Sequence, residues 1–465
     1  MSYNTTALQG IMQLLRYQNN YPALGTGSNI LASQAKNLIG GIPPSMQAYT
    51  TAYQINLFGD YPNKTDVAPS ILFTVVFFII LLAHSLIFAI NYSRGHYFWL
   101  QLGWVFYCMC RVVGFAMRAV CAQDLSQTLI GISGEVFLIL PSILLVSFNL
   151  ILAQRIFTWR HPVGGSRPLF WNLMFTLYAV VTAIVVMTIV ASAVPNLYFL
   201  SQTVYIRYQK VVMVSSIFVI LYSLTSISLL FLAFFFKPTA KDESFYTYQP
   251  FWIESFSPTY FVRKGACMEA AETFMKRNRN HRHAVRVIAA THHHYNLVEG
   301  LTNQRGDLKH NTSMVIIVIT TVLIFIGAIA RSVVIFQGRY KMDTGPAGKP
   351  IVMYICWGAF EAIINILYLV GRVDLRFYRP DKLPKKVRDI VTEDQTANVS
   401  DAEKDDEDDD GHSSGNFGFT SDSEAGFGFQ DRDVMIPVPE RSDRESGRPP
   451  YPISEKHAKS EEFHF

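Results

Sequence analysis

Seven long apolar stretches dominate the pattern of this chain, at roughly 70–90, 98–120, 127–153, 170–193, 211–236, 314–336 and 350–371. A hydrocarbon core of about 30 Å takes about 20 apolar residues in helical form, and each stretch is long enough. Ile71 to Ile90 reads ILFTVVFFIILLAHSLIFAI, in which His84 and Ser85 are the strongly polar residues. A helix at the surface of a soluble domain would keep a charged face along such a run. A closed membrane barrel would show short alternating segments instead. The pattern therefore predicts an all-α fold, a seven-transmembrane-helix bundle occupying residues 68–375.

Between the fifth and sixth stretches lies one long loop, 237–312. Its middle reads as helical from Lys264 to about Ala290, with Cys267, Ala270, Ala271, Phe274 and Met275 on an apolar stripe beside Lys276, Arg277, Arg279, Arg282 and Arg286. Such a segment suits anionic lipid or a protein partner, and equally a solvated helix. Residues 376–465 turn polar and acidic, as in EKDDEDDDG. They bury too little apolar surface to fold, which predicts a disordered tail. Ser400 and Ser421 each stand three residues before a glutamate, a pattern suited to acid-directed phosphorylation. The first 67 residues carry no cleavable signal pattern. They read as a partly ordered polar leader with a short amphipathic turn near Leu8–Leu15, too small for a large ligand-binding domain.

Charge sets the expected orientation. With the N-terminus outside, the inner loops hold Arg94, Arg155, Arg160 and Arg167, and a basic cluster from Arg372 to Arg388 follows the last helix. The outer loops hold fewer basic residues, so the positive-inside bias favours N-terminus out and C-terminus in, with the plasma membrane as the expected location. Asn4 and Asn63 are glycosylation sequons on the outer side. The composition, 50% hydrophobic and 16% charged, agrees with a membrane protein, and the net charge of +4 hides basic loops and an acidic tail. That distribution points to lipid headgroups and cytosolic partners, not to nucleic acid.

Charges within the spans are costly, face the bundle interior and mark function or internal pairing. Arg111 and Arg118 share one face of the second span, Glu135 lies in the third, Arg331 near the end of the sixth, and Glu361 and Asn365 in the seventh. Counting helix rise places Arg111, Glu135 and Glu361 together near the midplane, with Arg118 and Arg331 nearer the outer rim. This cluster is expected to be a structural lock, a ligand pocket, or a site that gates a proton or solute. Arg155, Arg160, Arg277 and Arg282 form the expected inner docking face. A Cys121–Cys356 bridge is conceivable, but buried thiols are the simpler reading. His281, His283 and His292–His294 lack the spacing and the companion ligands of a zinc site, so neither a metal nor a cofactor is expected. No metalloprotease motif lies in a span, the last span has no lysine to hold retinal, and no phosphate-binding glycine loop is present; an enzyme is not expected.

Three segments carry a family resemblance: FAINYSRGHYFWLQLGWVFYCMCRVVGFAMRAVCA across the first two spans, FNLILAQRIFTWRHP at the end of the third, and GRVDLRFYRP after the seventh. They resemble a group of fungal seven-helix membrane proteins often labelled family C-like G-protein-coupled receptors, or described by a domain of unknown function. The resemblance implies a receptor-like protein for an unknown small or lipidic ligand, with the α subunit of a heterotrimeric G protein as a possible partner. The chain departs from well-understood receptors. It lacks a two-lobed outer domain, reads Ala153-Gln154-Arg155 where the third span ends, and has no cysteine in the second outer loop. A transporter or lipid-translocating exporter is the alternative, with the Arg–Glu cluster as its transit site.

Overall fold

The computed structural model describes residues 7–42, 44–161, 164–165, 167–236, 253, 255–266 and 310–378. Three short helices come first: α1 (Ala7–Gln18), α2 (Ser28–Ile39) and α3 (Pro44–Ala52). Six long ones follow: α4 (Val67–Ser93), α5 (Leu100–Gln123), α6 (Thr128–Arg160), α7 (Pro168–Leu197), α8 (Gln202–Phe235) and α9 (His310–Gln337). α10 (Pro350–Val370) is the seventh long helix, and the short α11 (Val373–Arg376) closes the described region. All seven long helices are apolar and long enough to cross a bilayer, making this an integral membrane protein.

Burial follows the rule for a bundle in lipid. Large apolar side chains of α4 (Ile71, Leu72, Phe78, Ile79, Leu82) and of α9 (Val315, Val318, Ile319, Val322) point outward. Polar side chains such as Arg111, Asn149, Thr320, Glu361 and Asn365 are buried inside. A soluble protein would not leave so broad an apolar surface exposed. The helices outrun the apolar stretches that predict them. α8 begins at Gln202 and not near 211, so Arg207 and Lys210 lie in a helix, and α6 continues to Arg160. Backbone hydrogen bonding favours helix beyond the apolar core, into the polar interface where hydrophobicity no longer marks it.

The leader is not a loose polar segment. α1, α2 and α3 form a cap with its own small core of Leu15, Leu31, Ala35 and Met46. The cap is tied to one end of the bundle. Gly27 N–H donates to the Pro195 carbonyl at 2.8 Å, Ser28 Oγ to the Asn196 carbonyl at 3.1 Å, and Lys341 N–H to the Gln54 carbonyl at 2.8 Å. The amphipathic turn expected near Leu8–Leu15 falls within α1, and the rest of the cap went unrecognised because its helices are short and weakly patterned.

At the opposite end, the turn after α4 meets the stretch after α10. Asp374 accepts from Arg372 Nε and Nη2 at 2.9 and 2.7 Å and from Asn91 Nδ2 at 2.7 Å. His96 Nε2 lies 3.0 Å from the Asp374 carbonyl, and its ring centre lies 4.0 Å from that of Tyr378. Arg372 holds a left-handed backbone (φ 47°), a conformation uncommon outside glycine, and the two bonds to Asp374 fix its side chain. Arg372 and Arg94 also reach the 255–266 segment, where both sit against Phe261.

Candidate functional site

α10 is not a regular α-helix. Its Tyr354–Phe360 stretch is π-helical, and regular geometry resumes at Glu361. A π turn inserts an extra residue and re-aims the side chains that follow, and it is often found at functional sites. Here it turns Glu361 toward α5 and α6. Arg111 Nε donates to Glu361 Oε2 at 2.7 Å, and Arg111 Nη2 pairs with Oε1. The Tyr107 hydroxyl donates to the same carboxylate, and Ser142 Oγ lies 3.1 Å from it. Arg111 Nη1 donates to the Leu138 carbonyl at 2.7 Å, and its guanidinium lies 5.2 Å from the Trp357 ring. Both charges are buried and fully hydrogen-bonded, as a charge pair in such an interior must be.

Arg118 lies about two turns toward the cap. It does not join this pair. Its Nη2 donates to Asp66 Oδ2 at 2.9 Å and to the Gly59 carbonyl at 2.6 Å, and Nε to the Tyr354 hydroxyl at 3.2 Å. Gly59 has φ +85°, and a Cβ there would strike the Met353 side chain at 2.4 Å, so glycine is what lets this carbonyl reach Arg118. Asp66 was not singled out in the sequence because it precedes the apolar run; its place at the helix start was the available signal.

Glu135 departs from the expected cluster. It is partly exposed and faces Lys341 Nζ at 3.9 Å. α6 begins at Thr128, so Glu135 lies about 10 Å from that end. Arg111 and Glu361 lie about 16–18 Å from the corresponding ends of α5 and α10. The expectation of one arginine and two carboxylates at the midplane is therefore corrected to one of each. Asn365 sits one turn beyond Glu361, its Nδ2 donating to the Glu361 carbonyl at 2.7 Å. Arg331 is buried on α9, and its Nε and Nη2 have no hydrogen-bond partner among the described residues.

Beneath the cap lies a cleft. Leu31, Met46 and Phe58 supply apolar walls, Arg118, Glu135 and Lys341 supply charge, and Leu138 and Trp357 form its floor. Apolar walls and polar groups, Gln54, Asp60 and Asn196 among them, both face the cleft, so it offers a ligand apolar contact and hydrogen-bond partners. A neighbouring cavity shares Gln54, Glu135, Asn196 and Lys341 with it, so these residues stand between the two.

Further toward the opposite end, Asn149 Nδ2 donates to Thr320 and Thr321 Oγ1, each at 3.1 Å, and its Oδ1 accepts from the Tyr368 hydroxyl. His84 Nδ1 meets Gln101 Nε2 at 2.6 Å. His84 was noted as a polar residue of the first stretch, but Asn149, Thr320, Thr321 and Gln101 were not singled out in the sequence, because uncharged polar residues in an apolar run give little signal.

Arg155 was expected on a docking face. It pairs with the Phe377 carbonyl and lies 5.3 Å from the Phe98 ring. A guanidinium at the end of a long helix finds the free carbonyls of the next helix terminus. Arg160 ends α6, and its side chain lies outside the described residues, as do Arg277, Arg282, Asn4, Ser400, Ser421 and the loop histidines. Asn63 is exposed where the chain enters α4. Cys108, Cys110, Cys121 and Cys356 are buried free thiols, so the Cys121–Cys356 bridge does not form. Among the described residues no cluster has the make-up of a metal site.

Residues 162–378 match a family described as "Protein of unknown function (DUF3112)". The chain is similar to that family over just under half its length. The match takes in α7 to α11, including Arg331, Glu361 and the Arg372–Asp374 pair, but not Arg111 or Arg118. No curated protein and no solved structure matches the chain.

Proposed function

We propose that this membrane protein is a receptor-like sensor of a small or lipidic ligand, with no catalytic role. The ligand enters the cleft beneath the cap. The observation that carries this reading is a shared wall: Leu138 and Trp357 line the cleft, and the same two residues contact Arg111 where it holds Glu361. A ligand pressing on Leu138 and Trp357 acts on the tie between α5 and α10. Such a ligand shifts the bundle between two arrangements to the extent that it binds one better. In this reading the cap faces outward, and the basic loop between α8 and α9 faces the cytosol, where a G-protein α subunit would dock. The plasma membrane is the proposed location.

The alternative is transport, in which the Arg111–Glu361 pair is a transit site. It has one observation in its favour, the run of buried polar groups from Arg118 past Glu361 and Asn365 to Asn149 and Asp374.

Proximity labelling separates the two, with the labelling enzyme fused after Phe465. A receptor enriches a G-protein α subunit, and the enrichment is lost when 276–286 is deleted. Enrichment of lipid-handling proteins without any G protein, together with solute flux in proteoliposomes, would replace the receptor reading with transport.

A further inference from the structure

Arg331 presents a charge problem that the rest of the bundle does not solve. It is 3% exposed, and arginine does not lose its proton in a protein. Each neighbouring charge is already engaged. Arg111 holds Glu361, Arg118 holds Asp66, and Glu135 faces Lys341. Glu361 already accepts from Arg111, Tyr107 and Ser142. A buried cation needs a counter-charge and acceptors for its N–H groups; Glu135 attracts it without bonding to it, and Nε and Nη2 have no acceptor among the described residues.

The geometry says what would supply them. Arg331 lines a small cavity with Val219, Leu323, Ile324 and Trp357, and with Ser142 and Glu361. The unpartnered nitrogens are Nε and Nη2. Those two form one edge of the guanidinium, and Arg111 uses that same edge to grip the Glu361 carboxylate. A planar carboxylate satisfies both N–H groups side by side. A halide lacks the two oxygens, and a dianionic phosphate would bring one more charge than Arg331 balances. The remaining walls are mostly apolar.

We propose that this cavity is a binding site for the carboxylate of a small apolar acid, with the Nε–Nη2 edge of Arg331 as its recognition element. The acid's hydrocarbon part lies against Val219, Leu323 and Ile324. The site is separate from the cleft beneath the cap and does not depend on the receptor reading, although Trp357 borders both.

Butyrate is a suitable probe, titrated against the full chain in nanodiscs of zwitterionic lipid. Butanol serves as the uncharged control and sodium chloride as the simple anion, with thermal unfolding and native mass spectrometry as readouts. The expected result is a saturable rise in Tm and one bound butyrate, absent with butanol. Arg331→Met should weaken binding by at least roughly 30-fold, the usual loss when one side of a buried charge pair is removed. Arg331→Lys keeps the charge without the fork and should bind more weakly than the native chain but better than Arg331→Met. The unliganded Arg331→Met protein should unfold no earlier than the native one, because it no longer buries an uncompensated charge. An equal Tm response in native and Arg331→Met proteins would overturn the proposal. So would saturation by chloride with no effect of butyrate, or a response to butanol equal to that of butyrate.

Discussion

Arg111 on α5 and Glu361 on α10 face each other edge to edge in the bundle interior, the guanidinium Nε 2.7 Å from Oε2 and Nη2 paired with Oε1. Both are sealed from solvent, and the carboxylate is also held by Tyr107 and Ser142. Removing one partner leaves the other charged and unpaired in a dry interior. Arg111→Met or Glu361→Met should each cost about 3–5 kcal/mol. The double variant should recover much of that loss. Denaturant unfolding in bicelles measures the cycle; a double variant whose loss equals the sum of the singles would show that the two groups act independently.

Glu135 gives the opposite expectation. It is partly exposed and 3.9 Å from Lys341. Glu135→Gln should change stability by less than about 1 kcal/mol, the usual range for exposed pairs. Its effect should fall on the cleft that it lines with Lys341. The same unfolding assay checks this, and a loss as large as that of Glu361→Met would place Glu135 in the interior lock.

Asp66 anchors Arg118 at the start of α4. Asp66→Asn removes the charge from that hydrogen bond and should cost roughly 1.5–3 kcal/mol. The loop carrying Gly59 and Asp60 depends on Arg118 for two further bonds, so its amides should exchange faster. Hydrogen-exchange mass spectrometry over 56–66 reads this directly, and unchanged protection there would count against the role given to Asp66.

The Asp374 cluster sets a pH dependence. Burial holds the His96 ring below its ordinary value, while the Asp374 carbonyl and carboxylate pull it up and Arg372 pulls it down. The Asp374 carbonyl can only accept, so His96 Nε2 carries the proton, and Nδ1 has no partner among the described residues. The unfolded chain therefore takes up a proton before the folded one. Stability should fall as pH drops below about 6.5, the ordinary imidazole value, and level off below the depressed folded value. Burial tends to raise Asp374, but its bonds to Arg372 and Asn91 outweigh this and hold it below the ordinary range. Its contribution is thus intact above about pH 4 and is lost only at lower pH. His96→Gln can still donate to the carbonyl and should flatten the slope between pH 7 and 5. An unchanged slope in that variant would assign the dependence to another group.

The seven spans were legible because lipid demands long apolar runs, and no competing fold writes that pattern. The Arg111–Glu361 pair was legible for the same reason, as charges stand out against such a background. Glu135 was misplaced because it was given the same depth as Arg111 and Glu361, although it lies only seven residues from the near end of its helix, against eleven for Glu361 and twelve for Arg111. Asp66, Asp374 and His96 lie just beyond the spans, where charge is ordinary and gives no signal. The cap was missed because α2 and α3 gain their stability from packing on one another and on the bundle. The orphaned edge of Arg331 is a property of side-chain placement that residue type alone does not carry.

The central claim is that the cleft and the Arg111–Glu361 pair are coupled through Trp357. Fluorine NMR of the full chain labelled with 5-fluorotryptophan tests it, with Trp357 assigned among the six tryptophans by Trp357→Phe. The account predicts two Trp357 signals in slow exchange, with a ratio that shifts both in Glu361→Gln, at the tie, and in Glu135→Gln, at the cleft. A single Trp357 signal, or one that Glu135→Gln leaves untouched, would contradict it.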